Sequence, residues 1–249
     1  MPFASLTIRF QSAGMIPPPF THYYTLEVKP TPKNALHVDF SITYTDREEL
    51  DEEDITGEGF TLADNFDWSG TLGPDWLPVL DNVVANTRLK PLRESELSEK
   101  DDYLEVLITP GSGPTGQSTQ TGTPTNPDAF LYPIQELIQA IYEAGGKEKP
   151  FELSYLSYQQ SGDRELHIQA SFANRSVQVI TVNNRQEQRK TMPWEALQPL
   201  MSTVFAYDYN PEDGLAKPPK RDGHFLTVGT DMWFDISALP EVYRALERV

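Results

Sequence analysis

The stretch Leu166-His167-Ile168-Gln169-Ala170-Ser171-Phe172 alternates apolar and polar side chains. A period of two is what a strand needs when one face is dry and the other wet. Leu166, Ile168, Ala170 and Phe172 belong to the dry face; Glu165, His167, Gln169 and Ser171 belong to the wet one. Upstream, Phe151, Leu153 and Tyr155 open a strand with the same pattern, and Ser161-Gly162-Asp163 reads as a hairpin turn. Downstream, Asn174-Arg175 turns the chain into a strand holding Val177 and Val179. Thr191 is then placed to cap a helix carrying Trp194, Leu197, Leu200, Met201, Val204 and Phe205, with a kink or restart at Pro199.

A fainter echo lies near the N-terminus, in Leu36-His37-Val38-Asp39-Phe40-Ser41. Both stretches read Leu-His-aliphatic-x-x-Ser. The echo suggests one folding unit used twice.

Outward from these stretches, Ala4, Leu6, Ile8 and Phe10 alternate with polar residues, and Tyr24, Leu26 and Val28 mark a second strand. Pro17-Pro18-Pro19 separates the two. Asp46 to Glu58 is acidic and reads as a solvated loop, with Gly57 to Leu62 returning as a short strand. Gly73-Pro74-Asp75-Trp76 opens a helix with Trp76, Leu80, Val83 and Val84 on one stripe; Pro78 fits only in its first turn. Leu104, Val106 and Ile108 form a strand core. Pro110 to Pro127 lacks any aliphatic side chain and reads as a mobile loop. Ile134, Leu137, Ile138, Ile141 and Tyr142 give the clearest helical spacing, with Asp128 to cap its start and Gly145-Gly146 to end it. Near the C-terminus, Phe225 to Ile236 reads as one or two strands. Ser237 is placed to cap a last helix with Leu239, Val242, Tyr243 and Leu246 on its stripe.

These elements predict an α+β fold in two related halves. Each half is a mainly antiparallel sheet with amphipathic helices packed on one face. The expected halves are residues 1–98 and 99–249, joined through the charged stretch Lys90 to Asp102. The second half would hold the inserted helix 128–144. The C-terminal strand and helix would pack back on the first half, which lacks an equivalent helix.

Net charge is −17, from 37 acidic against 20 basic residues. Such a surface repels phosphate backbones and anionic lipids, which argues against nucleic acid or a membrane as partner. The basic clusters Arg185 to Lys190 and Lys217 to Arg221 read as loop charges. The chain has no cysteine, so disulfides, thiolate metal sites and cysteine nucleophiles are excluded. No secretory leader pattern and no apolar run of bilayer length stands out, so a cytoplasmic protein is expected.

Motifs for chemistry are few. Gly111-Ser112-Gly113-Pro114-Thr115-Gly116 resembles a phosphate cradle only in composition, because no Gly-Lys-Ser/Thr follows. Asp208-x-Asn210-x-Glu212-Asp213-Gly214 misplaces the glycine of a calcium loop and reads as an acidic turn. Trp76 and Trp194 read as wedges between helix and sheet. His37, Asp39 and His167 are the candidate site residues, two imidazoles and a carboxylate suited to acid–base or metal work. His22 and His224 have no recognisable partners in the sequence. No catalytic residue, cofactor or metal is otherwise indicated. The resulting expectation is a non-enzymatic protein-binding module whose acidic surface meets a basic partner. The alternative is a hydrolase or metal-dependent enzyme with a site between the halves, using the same three residues.

Overall fold

The computed structural model describes residues 3–111, 118–160, 162–218, 220–230 and 232–249. These form thirteen strands, arranged as a seven-stranded and a six-stranded antiparallel sheet, with five α-helices. The architecture is mixed α+β. The chain divides into two units, Met1–Lys147 and Glu148–Val249.

The first unit opens with three long strands, β1 (Phe3–Gln11), β2 (His22–Pro30) and β3 (Leu36–Tyr44). A short helix α1 (Glu52–Gly57) precedes β4 (Phe66–Leu72). Then come α2 (Trp76–Asn86), the two-residue β5 (Leu89–Lys90), β6 (Tyr103–Pro110), β7 (Gln120–Pro124) and α3 (Pro127–Ala144). The sheet runs β4-β3-β2-β1-β6-β7-β5. Its dry face is the one the alternation marks: Leu6, Ile8, Leu26, Val28, Leu36, Val38 and Val106 are fully buried. Each such side chain contributes about 1.5–3 kcal/mol relative to exposure. One phase differs from the sequence reading. A register shift between Phe3 and Ser5 puts Phe3 inside and leaves Ala4 exposed. Among the helices, α2 buries Trp76, Leu80 and Val83, and α3 buries Phe130, Ile134, Leu137, Ala140 and Ile141. The helix α3 packs against α2, β4 and β7.

The second unit contains β8 (Phe151–Tyr158), β9 (Arg164–Ser171), β10 (Ser176–Asn183), β11 (Gln186–Met192), α4 (Trp194–Val204), β12 (Gly223–Thr227), β13 (Phe234–Asp235) and α5 (Pro240–Glu247). Its sheet runs β11-β10-β9-β8-β12-β13. Leu153, Tyr155, Leu166, Ile168, Val177 and Val179 meet Leu197, Leu200 and Val204 of α4 and Val242 and Leu246 of α5 in one cluster. With β5 set aside, both units place their own strands in the order fourth, third, second, first, fifth, sixth. In both, one helix follows the fourth strand and another follows the sixth.

The boundary expected at 98/99 falls instead at 147/148. The reason is pairing. β6 lies antiparallel to β1 from Phe3↔Pro110 to Gln11↔Tyr103, so the charged stretch before it is a crossover within one sheet. The helix 128–144 therefore belongs to the first unit. The C-terminal helix packs on α4 and enters the second unit's core.

Several local expectations also shift. The acidic stretch holds α1, because Asp51 accepts the Asp54 amide and three carboxylates sit at the helix's positive end, while Ile55 is buried. Residues Gly57 to Leu62 form no strand; the chain pairs later, in β4. The cluster at Arg185 to Lys190 is strand β11 rather than loop, closed by a two-residue turn with Asn184 and Arg185 both at positive φ. The cap of α3 is Asn126, not Asp128. Thr191 lies in β11, with Pro193 at the start of α4. Ser237 caps no helix; its hydroxyl accepts the His224 amide. Within the loop 110–127, residues 120–124 form β7. Residues 112–117 of the glycine-rich stretch, and Ser161 of the expected hairpin turn, lie outside the described residues.

Candidate functional site

His37 and Asp39 alternate onto the wet face of β3, as their spacing of two requires. His37 Nε2 stands 3.4 Å from Asp39 Oδ2. Cross-strand register places Glu27 and Ser69 on either side of Asp39, and the Ser69 hydroxyl donates to Asp39 Oδ1 at 2.6 Å. Thr25, Glu27, Asp39, Ser41, Asp67 and Ser69 border a shallow recess of about 390 Å³. Lys29 pairs with Glu27 at 2.8 Å, and Arg9 pairs with Glu105 at 2.8 Å.

His167 occupies a comparable wet face in the second unit. Its Nδ1 shares a 2.8 Å hydrogen bond with the Ser154 hydroxyl, and its Nε2 lies 3.6 Å from Glu165 Oε2. Beside it the Gln169 amide donates to Glu152 Oε1 at 3.1 Å. Glu152, Ser154, His167 and Gln169 border a second recess of about 200 Å³.

The histidine echo is thereby corrected. His37 lies on the third strand of its unit, whereas His167 lies on the second strand of its own. The two occupy unlike places in the shared strand order. Each ring has a carboxylate neighbour of its own, Asp39 or Glu165. Among the described residues, no group of three or more His, Asp or Glu side chains is placed to hold a metal ion. The pairs are also well exposed, His37 at 44% and Asp39 at 45% of their side chains. Such surface pairs contribute at most about 1 kcal/mol.

Sequence reasoning missed a more buried cluster in the second unit. His224 Nδ1 shares a 2.8 Å hydrogen bond with the Tyr155 hydroxyl, and its ring lies on Tyr243 at 4.0 Å. Glu247 Oε1 lies 3.5 Å from the same hydroxyl, and Arg164 donates to the Glu247 carbonyl at 2.7 Å. Burial, reinforced by the Glu247 carboxylate, pushes the Tyr155 phenol up to about 12. Burial pulls His224 below its ordinary value of 6.5, against the opposing carboxylates of Glu247 and Asp235. Tyr155 and Tyr243 stand out in the sequence only as strand and helix residues on their apolar stripes.

Among the described residues, no helix is long and apolar enough to cross a membrane. No protein-family model, curated protein or solved structure matches the chain.

Proposed function

We propose that this chain is a non-catalytic, intracellular protein-binding module made of two copies of one ββββαββα unit, and that its acidic surface takes a basic partner. The shared strand order and helix placement support the duplication. The observation that carries the binding reading is the row Glu27, Asp39 and Ser69 on adjacent strands, with Asp67 beside it, around an open recess on the wet face of the first sheet. Asp39 is already oriented by Ser69 and His37, so a lysine or arginine meets a fixed acceptor. A net charge of −17 steers such a partner toward the chain.

Cross-linking in native lysate, followed by recovery at low salt and at about 0.3 M salt, tests this reading. A stoichiometric basic protein is expected at low salt. Its recovery should fall at the higher salt and in an Asp39→Lys, Asp67→Lys variant. Failure to recover a stoichiometric partner at low salt would count against the reading, as would recovery indifferent to both changes.

A further inference from the structure

A cavity of about 320 Å³ lies between the inner ends of β1–β3 and helix α3 of the first unit. Ligand pockets begin at about 300 Å³, which suits a molecule of roughly one ring and a short side arm. One wall is aromatic. Phe10 stacks on Tyr24 with centroids 5.0 Å apart and planes 16° from parallel, and on His22 at 5.5 Å and 29°. The opposite wall is a stripe of α3 that includes Leu131, Gln135 and Ile138. Leu131 and Ile138 are only half-buried, so the helix leaves apolar surface facing the cavity.

The polar lining is His22, Tyr24, Tyr44, Gln135, Tyr142 and one carboxylate, Asp102. Asp102 lines the cavity, and one of its carboxylate oxygens accepts the Ala13 amide at 2.7 Å, which fixes the group. Burial first, and the Asp102 charge second, hold the Tyr24 phenol well above its ordinary value of 10.0, so that ring stays neutral. His22 Nδ1 lies 2.8 Å from the Phe20 carbonyl oxygen. A carbonyl only accepts, so Nδ1 carries the hydrogen in this contact. Among the described residues, no lysine or arginine lines this cavity. The second unit differs at the matching end of its first three strands. There Arg164 of β9 donates to the Glu247 carbonyl of α5, and His224 of the neighbouring β12 shares a hydrogen bond with Tyr155. The second unit supplies cationic and donor groups of its own; the first unit leaves a space lined by aromatic rings and a carboxylate.

We propose that this cavity binds a small protonated aromatic amine, its ring against Phe10 and Tyr24 and its ammonium group on Asp102. Stacked rings accept a further planar ring, and aromatic faces together with a carboxylate favour a cation over an anion. The site is separate from the wet face assigned to the protein partner.

Titration of the full chain with tyramine, followed by amide chemical shifts and calorimetry, tests this. The matched acid 3-(4-hydroxyphenyl)propionate serves as the charge control. Tyramine is expected to bind saturably and to shift the signals of Tyr24, Gln135 and Ile138; the acid should bind at least tenfold more weakly. Asp102→Asn keeps the oxygen that accepts the Ala13 amide but removes the charge, and should lower tyramine affinity at least tenfold. Leu131→Trp fills the cavity and should abolish binding. Asp39→Lys, Asp67→Lys should leave tyramine binding unchanged, which separates this site from the wet face. Absence of saturable tyramine binding overturns the proposal. So does equal binding of the acid, or binding that survives Leu131→Trp in a folded variant.

Discussion

The imidazole of His224 lies flat on the phenol of Tyr243, with centroids 4.0 Å apart and planes within 4° of parallel. The contact joins β12 to α5, and the same imidazole is hydrogen-bonded to Tyr155 of β8. One ring thus ties the last helix to two strands. Burial disfavours its charged form and lowers its folded-state pKa below 6.5. The unfolded chain then binds more protons than the folded one between the lowered value and 6.5, so stability rises with pH across that window. Acidification from pH 7 should begin to lower the melting temperature as pH passes below about 6.5, ahead of the carboxylates. Thermal melts between pH 7.5 and 4.5 check this. His224→Phe, which keeps a ring on Tyr243, should flatten the slope in that window.

Arg47 should be the most costly surface-loop residue to replace. Its guanidinium bonds the Pro19 carbonyl through Nε at 3.0 Å and Nη2 at 2.7 Å, the Thr61 carbonyl at 3.1 Å and Asp64 at 2.9 Å. It also lies over the rings of Tyr44 and Phe60. Only 13% of the side chain is exposed. Burial would raise Asp64, but bonds from Thr61 and Arg47 outweigh it and hold the carboxyl below its usual 3.8. Arg47→Met should destabilise the first unit by about 2–4 kcal/mol, because several acceptors lose one shared donor. Arg47→Lys should recover little, since an ammonium cannot reproduce the planar fork. Denaturant unfolding measures both.

What the sequence disclosed follows a physical line. Strands with a dry face announce themselves by period, so β1–β3, β6 and β8–β10 were legible, and so was the shared face of His37 and Asp39. β11 was not, because Gln186 to Thr191 are all exposed and its turn is Asn-Arg rather than the usual Asn-Gly. β4 was hidden because Gly70 interrupts its alternation; the Trp68 ring sits where a Gly70 side chain would go. The contact of Ser69 with Asp39 depends on that unseen strand. The cap roles of Thr191 and Ser237 failed because other pairings claimed them, a ladder in one case and the His224 amide in the other. Asp102 and His224 take partners 89 and 69 positions away, which no local pattern encodes.

The long polar edge of β11 raises a question of solubility. An edge strand offers unpaired backbone groups to other chains, and inward-facing charge is a common protection. Lys190 stands opposite buried Val179, on the side of the sheet that packs the core, and its ammonium donates to the Val249 carbonyl. Lys190→Val should therefore preserve the fold while promoting edge-to-edge association. Light scattering against protein concentration is the check, with monodisperse behaviour of the parent chain as reference. Scattering unchanged by the substitution would assign the protection of this edge to Arg189 or to strand twist instead.

The exposed imidazoles admit a sharper test than their conspicuous setting suggests. His37 and His167 each hold one carboxylate at hydrogen-bonding range or slightly beyond, 3.4 and 3.6 Å, with side chains 44% and 42% exposed. Solvent screens such pairs, and holding two side chains in place costs entropy that offsets much of their attraction. His37→Ala and His167→Ala should each change stability by less than about 1 kcal/mol, and the double variant should show simple additivity, because the rings share no partner. His167→Ala should cost slightly more, since it also strands the Ser154 hydroxyl, although that group is only part-buried and water can replace the ring. Urea unfolding of the two single variants and the double variant measures this. A coupling energy well above about 0.5 kcal/mol would show that the two rings act together, which a metal or catalytic pair requires and a pair of independent surface groups does not.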